Sequence, residues 1–246
     1  YLWINNDDVE IRDASHLWGQ DTYDTRDLIR EELKNEKVQI ACIGQAGEKK
    51  IYAASVMGGT GASASRGGIG ALWGDKKLKA IAVYGSQDVS LAHPSQLYEM
   101  SQDIWDNAER LQETKRGKCL DGLNRWETRD VWYGNFNEID YGQLPADSEL
   151  KKGIEKHEEK LADLVKSRAV NDVGCYNCRV HCRQAFLYRG ELSPLKCSSL
   201  LTHIVYSKYV DYNWALDCYN MGEDWGLDIQ SFPRTVAFAI DLYERG

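Results

Sequence analysis

An α+β fold is predicted by two contrasts along the 246-residue chain and by one boundary signal between them. Segments with β-branched content or apolar alternation crowd residues 1–90, whereas three- and four-residue apolar spacing dominates residues 91–246. A polar stretch ending at His93-Pro94 separates the two. The expected organisation is a sheet-containing mixed α/β part over 1–90, followed by an all-helical part over 91–246.

Strands are expected at Tyr1–Ile4, Val9–Ile11, Val38–Ile43, Ile51–Val56 and Lys79–Tyr84. One helix fits between them. Leu28, Ile29 and Leu33 form its apolar stripe over Asp27–Leu33, and Thr25 is the expected cap. Residues Gly58–Gly74 are too rich in glycine for a regular element, and suit either a hairpin at the surface or close backbone approach to a ligand. They are no dinucleotide fingerprint, because Gly74 falls one residue late after Gly68 and Gly70, and no Gly-Lys-Ser/Thr marks a P-loop.

The second part opens with Leu97, Met100, Ile104, Ala108 and Leu111 at helical spacing. Leu150, Ile154, His157, Leu161 and Leu164 repeat it, with His157 read as a core or boundary residue. Trp214, Ala215, Cys218 and Trp225 mark another helix capped by Asp211. Ser231 starts the last one, with Val236, Ile240 and Tyr243 facing inward.

Composition excludes several classes. At 43% hydrophobic and 28% charged the chain is globular, not disordered. No apolar run reaches the roughly 18 residues of a membrane span. A net charge of −8 argues against nucleic acid as partner. The chain opens at Tyr1, inside an expected strand and without methionine, as an internal fragment of a longer protein would.

Seven cysteines, three of them clustered, point to a reducing compartment, the cytoplasm, and to a metal site rather than to disulfides. Cys175-Tyr-Asn-Cys178-Arg-Val-His-Cys182 is a C-x2-C-x3-C array. Zinc usually takes two ligand pairs, and no second C-x2-C occurs. Three close thiolates with a distant fourth suit an iron–sulfur cluster, whose negative charge Arg179, His181 and Arg183 could offset. A zinc-stapled binding module is the alternative from another class.

Three segments resemble the aldehyde:ferredoxin oxidoreductase family. They are Val9-Glu-Ile-Arg-Asp-Ala-Ser-His-Leu-Trp-Gly19 with the stretch ending ACIGQAGE at Glu48, the run Arg66-Gly-Gly-Ile-Gly-Ala-Leu-Trp-Gly-Asp-Lys-Lys-Leu-Lys-Ala80, and the course from Cys175 through Gly226-Leu-Asp228 to the end. The resemblance implies a tungsten or molybdenum bis-pterin beside a [4Fe-4S] cluster. Residues 1–90 would be the C-terminal portion of the pterin-binding domain, and residues 91–246 the helical domain carrying the cluster loop. Cys175, Cys178 and Cys182 would be three cluster ligands, with the fourth outside this chain. Arg66, Gly67 and Gly68 would face the pterin phosphates. Glu223-Asp-Trp-Gly226-Leu227-Asp228 matches the family's second pterin segment, D-x-x-G-L-D, with Glu223 for the first Asp.

Ser193-Pro-Leu-Lys-Cys197-Ser-Ser199 places a cysteine where aldehyde-oxidising members have a glutamate. That resembles the benzoyl-CoA reductase catalytic subunits, in which a thiolate ligates tungsten, and Ala64–Gly70 is also closer to that subgroup. The subgroup's proton-donating histidine is replaced by Glu127, after Trp126; His203 is a second candidate. The implied protein is a catalytic subunit reducing an aryl- or acyl-CoA at low potential, with reversible oxidation of an aldehyde as the alternative. Its expected partners are a low-potential electron carrier (ferredoxin or an iron–sulfur subunit), a small-molecule or CoA-thioester substrate, and further subunits of a homo- or hetero-oligomer.

Overall fold

The computed structural model describes residues 1–59, 62–113, 163, 167–173, 183–195, 203 and 211–246. The chain is α+β and divides into two compact units, residues 1–89 with 199–246, and residues 90–198. The C-terminal helices therefore join the N-terminal sheet in one unit, whereas the sequence pattern groups them with the residues after 90.

The first unit is built on a six-stranded mixed sheet. Its strands are β1 (Leu2–Asn5), β2 (Asp8–Ile11), β3 (Gln39–Cys42), β4 (Val56–Gly58), β5 (Ser63–Ala64) and β6 (Ala80–Tyr84), in the order β2-β1-β6-β3-β4-β5. β1 and β6 run parallel, while β3 pairs antiparallel with both β6 and β4. Alternation aims one row at the core: Trp3, Ala82 and Ile40 stand abreast, with Cys42 opposite Ala80. The small alanines make room for the indole beside them.

Helix α1 (Thr22–Leu33) supplies fully buried Ile29 to this row, together with Leu17 from the preceding loop. Asp21 caps it, accepting from the N–H groups of Tyr23 and Asp24 at 2.9 Å. Thr25, the expected cap, lies one turn inside, buried, with its hydroxyl donating to the Asp21 carbonyl. The helix starts earlier than its apolar stripe because Asp21 supplies the capping oxygen.

Two expectations between residues 45 and 75 are corrected. Ile51–Val56 is not a strand; the strand begins at Val56, because the backbone of Ala53–Ser55 pairs elsewhere. The glycine-rich stretch also contains a regular element, α3 (Ile69–Asp75), which packs on the short α2 (Gln45–Glu48). A Cβ on Gly74 would lie 1.9 Å from the Gly47 carbonyl oxygen, and one on Gly70 2.6 Å from the Ala54 carbonyl carbon. These glycines permit helix-to-backbone contact.

Helix α5 (Tyr212–Trp225) is capped by Asp211, which accepts from Asn213 and Trp214 N–H at 2.9 and 3.1 Å. Helix α6 (Ser231–Arg245) follows. Tyr243, expected inward on α6, is 88% exposed, since little packs against the helix's last turn among the described residues. In the second unit α4 (Pro94–Glu113) matches the predicted helix. The expectation of an all-helical second part is overturned by a sheet of β7 (Ala169–Val173), β8 (Arg183–Tyr188) and β9 (Glu191–Pro194). Arg189-Gly190, both at positive φ, closes the β8–β9 hairpin in two residues. The helix expected around Leu150–Leu164 lies largely outside the described residues.

Burial raises the Cys42 thiol to about 11 from an ordinary 9.0, and its Sγ sits 3.5 Å from the Thr22 carbonyl. The unfolded thiol ionises above pH 9 while the folded one keeps its proton, so stability falls between pH 9 and 11. Denaturant melts should show the stability difference between wild type and Cys42→Ala constant below pH 9 and shrinking above it. Native-state alkylation mapped by mass spectrometry should leave Cys42 unmodified at pH 8.

Candidate functional site

Three segments distant in sequence converge in the first unit. The central one is Ala53–Ser55, entering β4. On one side it pairs with the α5–α6 junction: Ser55 N–H donates to Gly226 O at 2.7 Å, Asp228 N–H to Ala53 O at 2.9 Å, and Ala54 bridges Leu227 antiparallel. On the other side Gly70 N–H donates to Ala54 O at 3.2 Å, seating the first turn of α3. The turn before α3, Arg66–Gly68, is thereby held beside the junction.

The junction folds this way because Gly226 ends α5 at φ +72. Gly226 N–H donates to Glu223 O at 3.2 Å and Leu227 N–H to Gly222 O at 2.8 Å, a Schellman pair of bonds. A Cβ on Gly226 would meet Gly44 N at 2.8 Å, and one on Gly44 would meet the Trp225 carbonyl at 2.5 Å. Gly226 thus serves as the capping glycine of α5. Glu223 is buried, its carbonyl also accepting from Thr22 Oγ1 at 2.8 Å. Asp228 is 1% exposed; its Oδ2 accepts from Ser231 N–H at 2.9 Å and Ser231 Oγ–H at 2.6 Å, starting α6.

Arg66, Gly67 and Gly68 all take left-handed conformations, with φ +67, +68 and +74. For Arg66 this costs about 1–2 kcal/mol. Its guanidinium Nε lies 3.9 Å from buried Asp228 Oδ2 while the side chain stays 69% exposed. Nothing lies within 4 Å of where a Gly67 Cβ would stand, whereas Gly68 rests on the Tyr52 ring. Among the described residues no acceptor takes the Gly67 or Gly68 N–H. A turn of backbone donors without acceptors among the described residues, a part-free guanidinium and a buried carboxylate suit a ligand with anionic oxygens and ring N–H groups.

Two features here escape the sequence reading. Ser55 Oγ–H donates to Ser65 Oγ, and that hydroxyl to Ser63 Oγ, each at 2.9 Å. Lys79 is fully buried; its Nζ donates to Gln20 O at 2.8 Å and forms an ion pair with Glu48. The Glu48 carboxylate also accepts from Gly19 N–H at 2.9 and 3.0 Å. Lys79 stands among exposed lysines in the sequence, which hides it; its one signal is its place at the mouth of β6.

His203 is 3% exposed and meets Phe232 edge to face, ring centroids 5.9 Å apart. Phe232 in turn packs on Ala46, Ala54 and Leu227, so the imidazole belongs to the same neighbourhood. Cys175, Cys178, Cys182, Cys197 and Glu127 lie outside the described residues. Among the described residues no group of His, Cys, Asp and Glu is arranged to hold a metal ion, and no helix is long and apolar enough to cross a membrane.

Residues 1–85 match the family described as aldehyde ferredoxin oxidoreductase, N-terminal domain. A tungsten-containing aldehyde ferredoxin oxidoreductase of Pyrococcus horikoshii is 32% identical over 250 residues, covering 100% of this chain and 40% of that protein. Its counterpart from Pyrococcus abyssi is 32% identical over 249 residues with the same coverage. Among solved structures, the active site complex BamBC of benzoyl coenzyme A reductase, in complex with 1,5-dienoyl-CoA, superposes with a TM-score of 0.77 at 33% identity. That match covers 100% of this chain and 38% of that one. The chain thus spans about 40% of the length of the curated relatives it matches.

Two variants test the construction of the site. Gly226→Ala should destabilise the first unit by about 2 kcal/mol or more, from the left-handed backbone and the contact with Gly44. Lys79→Met should cost about 3–5 kcal/mol by stranding the Glu48 carboxylate, with Lys79→Met/Glu48→Leu recovering part of it. Denaturant melts of the single and double variants check both.

Proposed function

We propose that the chain belongs to the aldehyde ferredoxin oxidoreductase family and is part of the catalytic subunit of a tungsten (or molybdenum) bis-pterin, [4Fe-4S] oxidoreductase. The observation that carries this reading is the meeting of the Arg66–Gly68 turn with Glu223–Asp228. These are the two segments whose residue types suit a pterin: donors for its phosphate oxygens on one side, carboxylates for its ring N–H groups on the other. The described residues fit the group. Arg66 and the N–H groups of Gly67 and Gly68 would take the phosphate side; Glu223, Leu227 and Asp228 would line the ring side around Gly226. Cys175, Cys178 and Cys182 would hold the cluster and Cys197 the heavier metal, soft thiolates suiting both.

When bound, the pterin-held metal supplies two-electron redox chemistry and the cluster supplies one-electron transfer. The protein's own part is to position these groups, exclude water and move a proton. Glu127 and His203 are the candidates for that proton, His203 being already buried against Phe232. A low-potential carrier, ferredoxin or an iron–sulfur subunit, would deliver electrons, and the subunit would work within an oligomer.

The substrate we favour is an aryl- or acyl-CoA thioester, reduced at low potential. Support comes from Cys197 in place of a glutamate and from the likeness to the benzoyl coenzyme A reductase structure. Oxidation of an aldehyde is the second reading, favoured by the names of the curated relatives.

Metal and acid-labile sulfide analysis of the anaerobically purified full-length protein tests the class: iron, sulfide and tungsten or molybdenum are expected, and zinc alone would overturn it. Cys175→Ala should remove iron and sulfide together. Turnover of an acyl-CoA against an aldehyde then separates the substrates, and Cys197→Ser should lose most activity; full activity there would remove the case for the thioester.

A further inference from the structure

We propose that Ser55, Ser65 and Ser63 form a hydroxyl chain of fixed polarity whose outer end, Ser63 Oγ–H, donates to an anionic oxygen of the ligand held at the Arg66–Gly68 turn. This inference rests on the pterin reading above. Ser55 is fully buried in the strip that joins α3 to the α5–α6 junction. Its proton goes to Ser65 Oγ at 2.9 Å, and the described residues offer it no other acceptor. Reversing the chain would leave that proton buried and unmatched, which is costly, so the direction is set from the inside outward. Ser65 then donates to Ser63 at 2.9 Å, and the Ser63 proton remains to be given away.

Ser63 lies on β5, the edge strand, three residues before Arg66, and is half-buried. Ser65 follows β5 directly, its hydroxyl bonded to that of Ser63, and Arg66 is the next residue. The buried serine thus makes Ser63 a donor at the end of a hydroxyl chain whose middle member, Ser65, adjoins the turn with its guanidinium and two unaccepted backbone N–H groups. All four prefer the same partner, an oxyanion such as a phosphate. A cationic ligand would gain nothing from this polarity, and a neutral acceptor less than an anion.

The test uses the full-length protein, purified anaerobically, with organic phosphate and pterin released on denaturation as the readout and the melting temperature alongside. Ser63→Ala should lower bound pterin phosphate at least threefold with the melting temperature unchanged, and Ser63→Thr should restore it. Ser55→Ala, which frees the chain to reverse, should give an intermediate loss. Wild-type content in Ser63→Ala overturns the hydroxyl chain and leaves the pterin reading standing. A wild-type protein without pterin phosphate overturns both. A loss that Ser63→Thr fails to restore assigns the effect to packing and overturns the donor role.

Discussion

The first unit depends on three places where backbone touches backbone with no room for a side chain. Gly74 lies against the Gly47 carbonyl, Gly70 against Ala54, and Gly226 against Gly44. Each crossing seats two elements directly on one another, because no flexible side chain stands between them to take up slack. Together they clamp Ala53–Ser55 between α3 and the α5–α6 junction. The Arg66–Gly68 turn is the entrance to α3, so its position follows from these contacts. Residues far apart in the chain therefore share a site through backbone contact.

The Lys79–Glu48 pair fastens the same construction from below. Glu48 ends α2, one residue after Gly47, and Lys79 immediately precedes β6. Their charges are fully inside, and the pair is completed by Gly19 N–H and the Gln20 carbonyl. A buried pair of this kind adds little net stability over an apolar one, but half a pair is strongly unfavourable. Its effect is on selection among arrangements: slipping α2 by one residue would strand both charges. The Gly47–Gly74 crossing is thereby held in one register.

Much of this was legible in the sequence, and the failures have physical causes. Alternation and β-branched content located four of the six strands in the N-terminal part, since period two is a direct consequence of one buried sheet face. Asp211 as a cap and the helical run from residue 94 were also legible. Ile51–Val56 was misassigned because its β-branched residues suit a strand, while its backbone bonds go to Gly226, Asp228 and Gly70, partners that no local pattern announces. Helix α3 was hidden by glycines that weaken a helix locally and are repaid by contact with Ala54 and Gly47. Among the site residues, Arg66 and Asp228 were each legible from motif content, though their contact was not. The serine chain was not, because three serines carry no signal until the strands are in register.

Arg66 carries the last step of the argument. A glycine would take its left-handed backbone without cost, and both following residues are glycines. The fold does not use the arginine as packing: the side chain is 69% exposed, and its charge contact with Asp228 is a long 3.9 Å. Asp228 for its part is already satisfied at Oδ2 by Ser231. A strained residue that contributes little to its own fold is explained by what its side chain offers to something else. Here that offer is a guanidinium beside open backbone N–H groups, over a buried carboxylate. A neutral replacement of normal size, Arg66→Gln, keeps the strain and removes the charge; Arg66→Gly removes both. If the arginine serves a ligand, the glycine variant should be the more stable protein and the weaker binder.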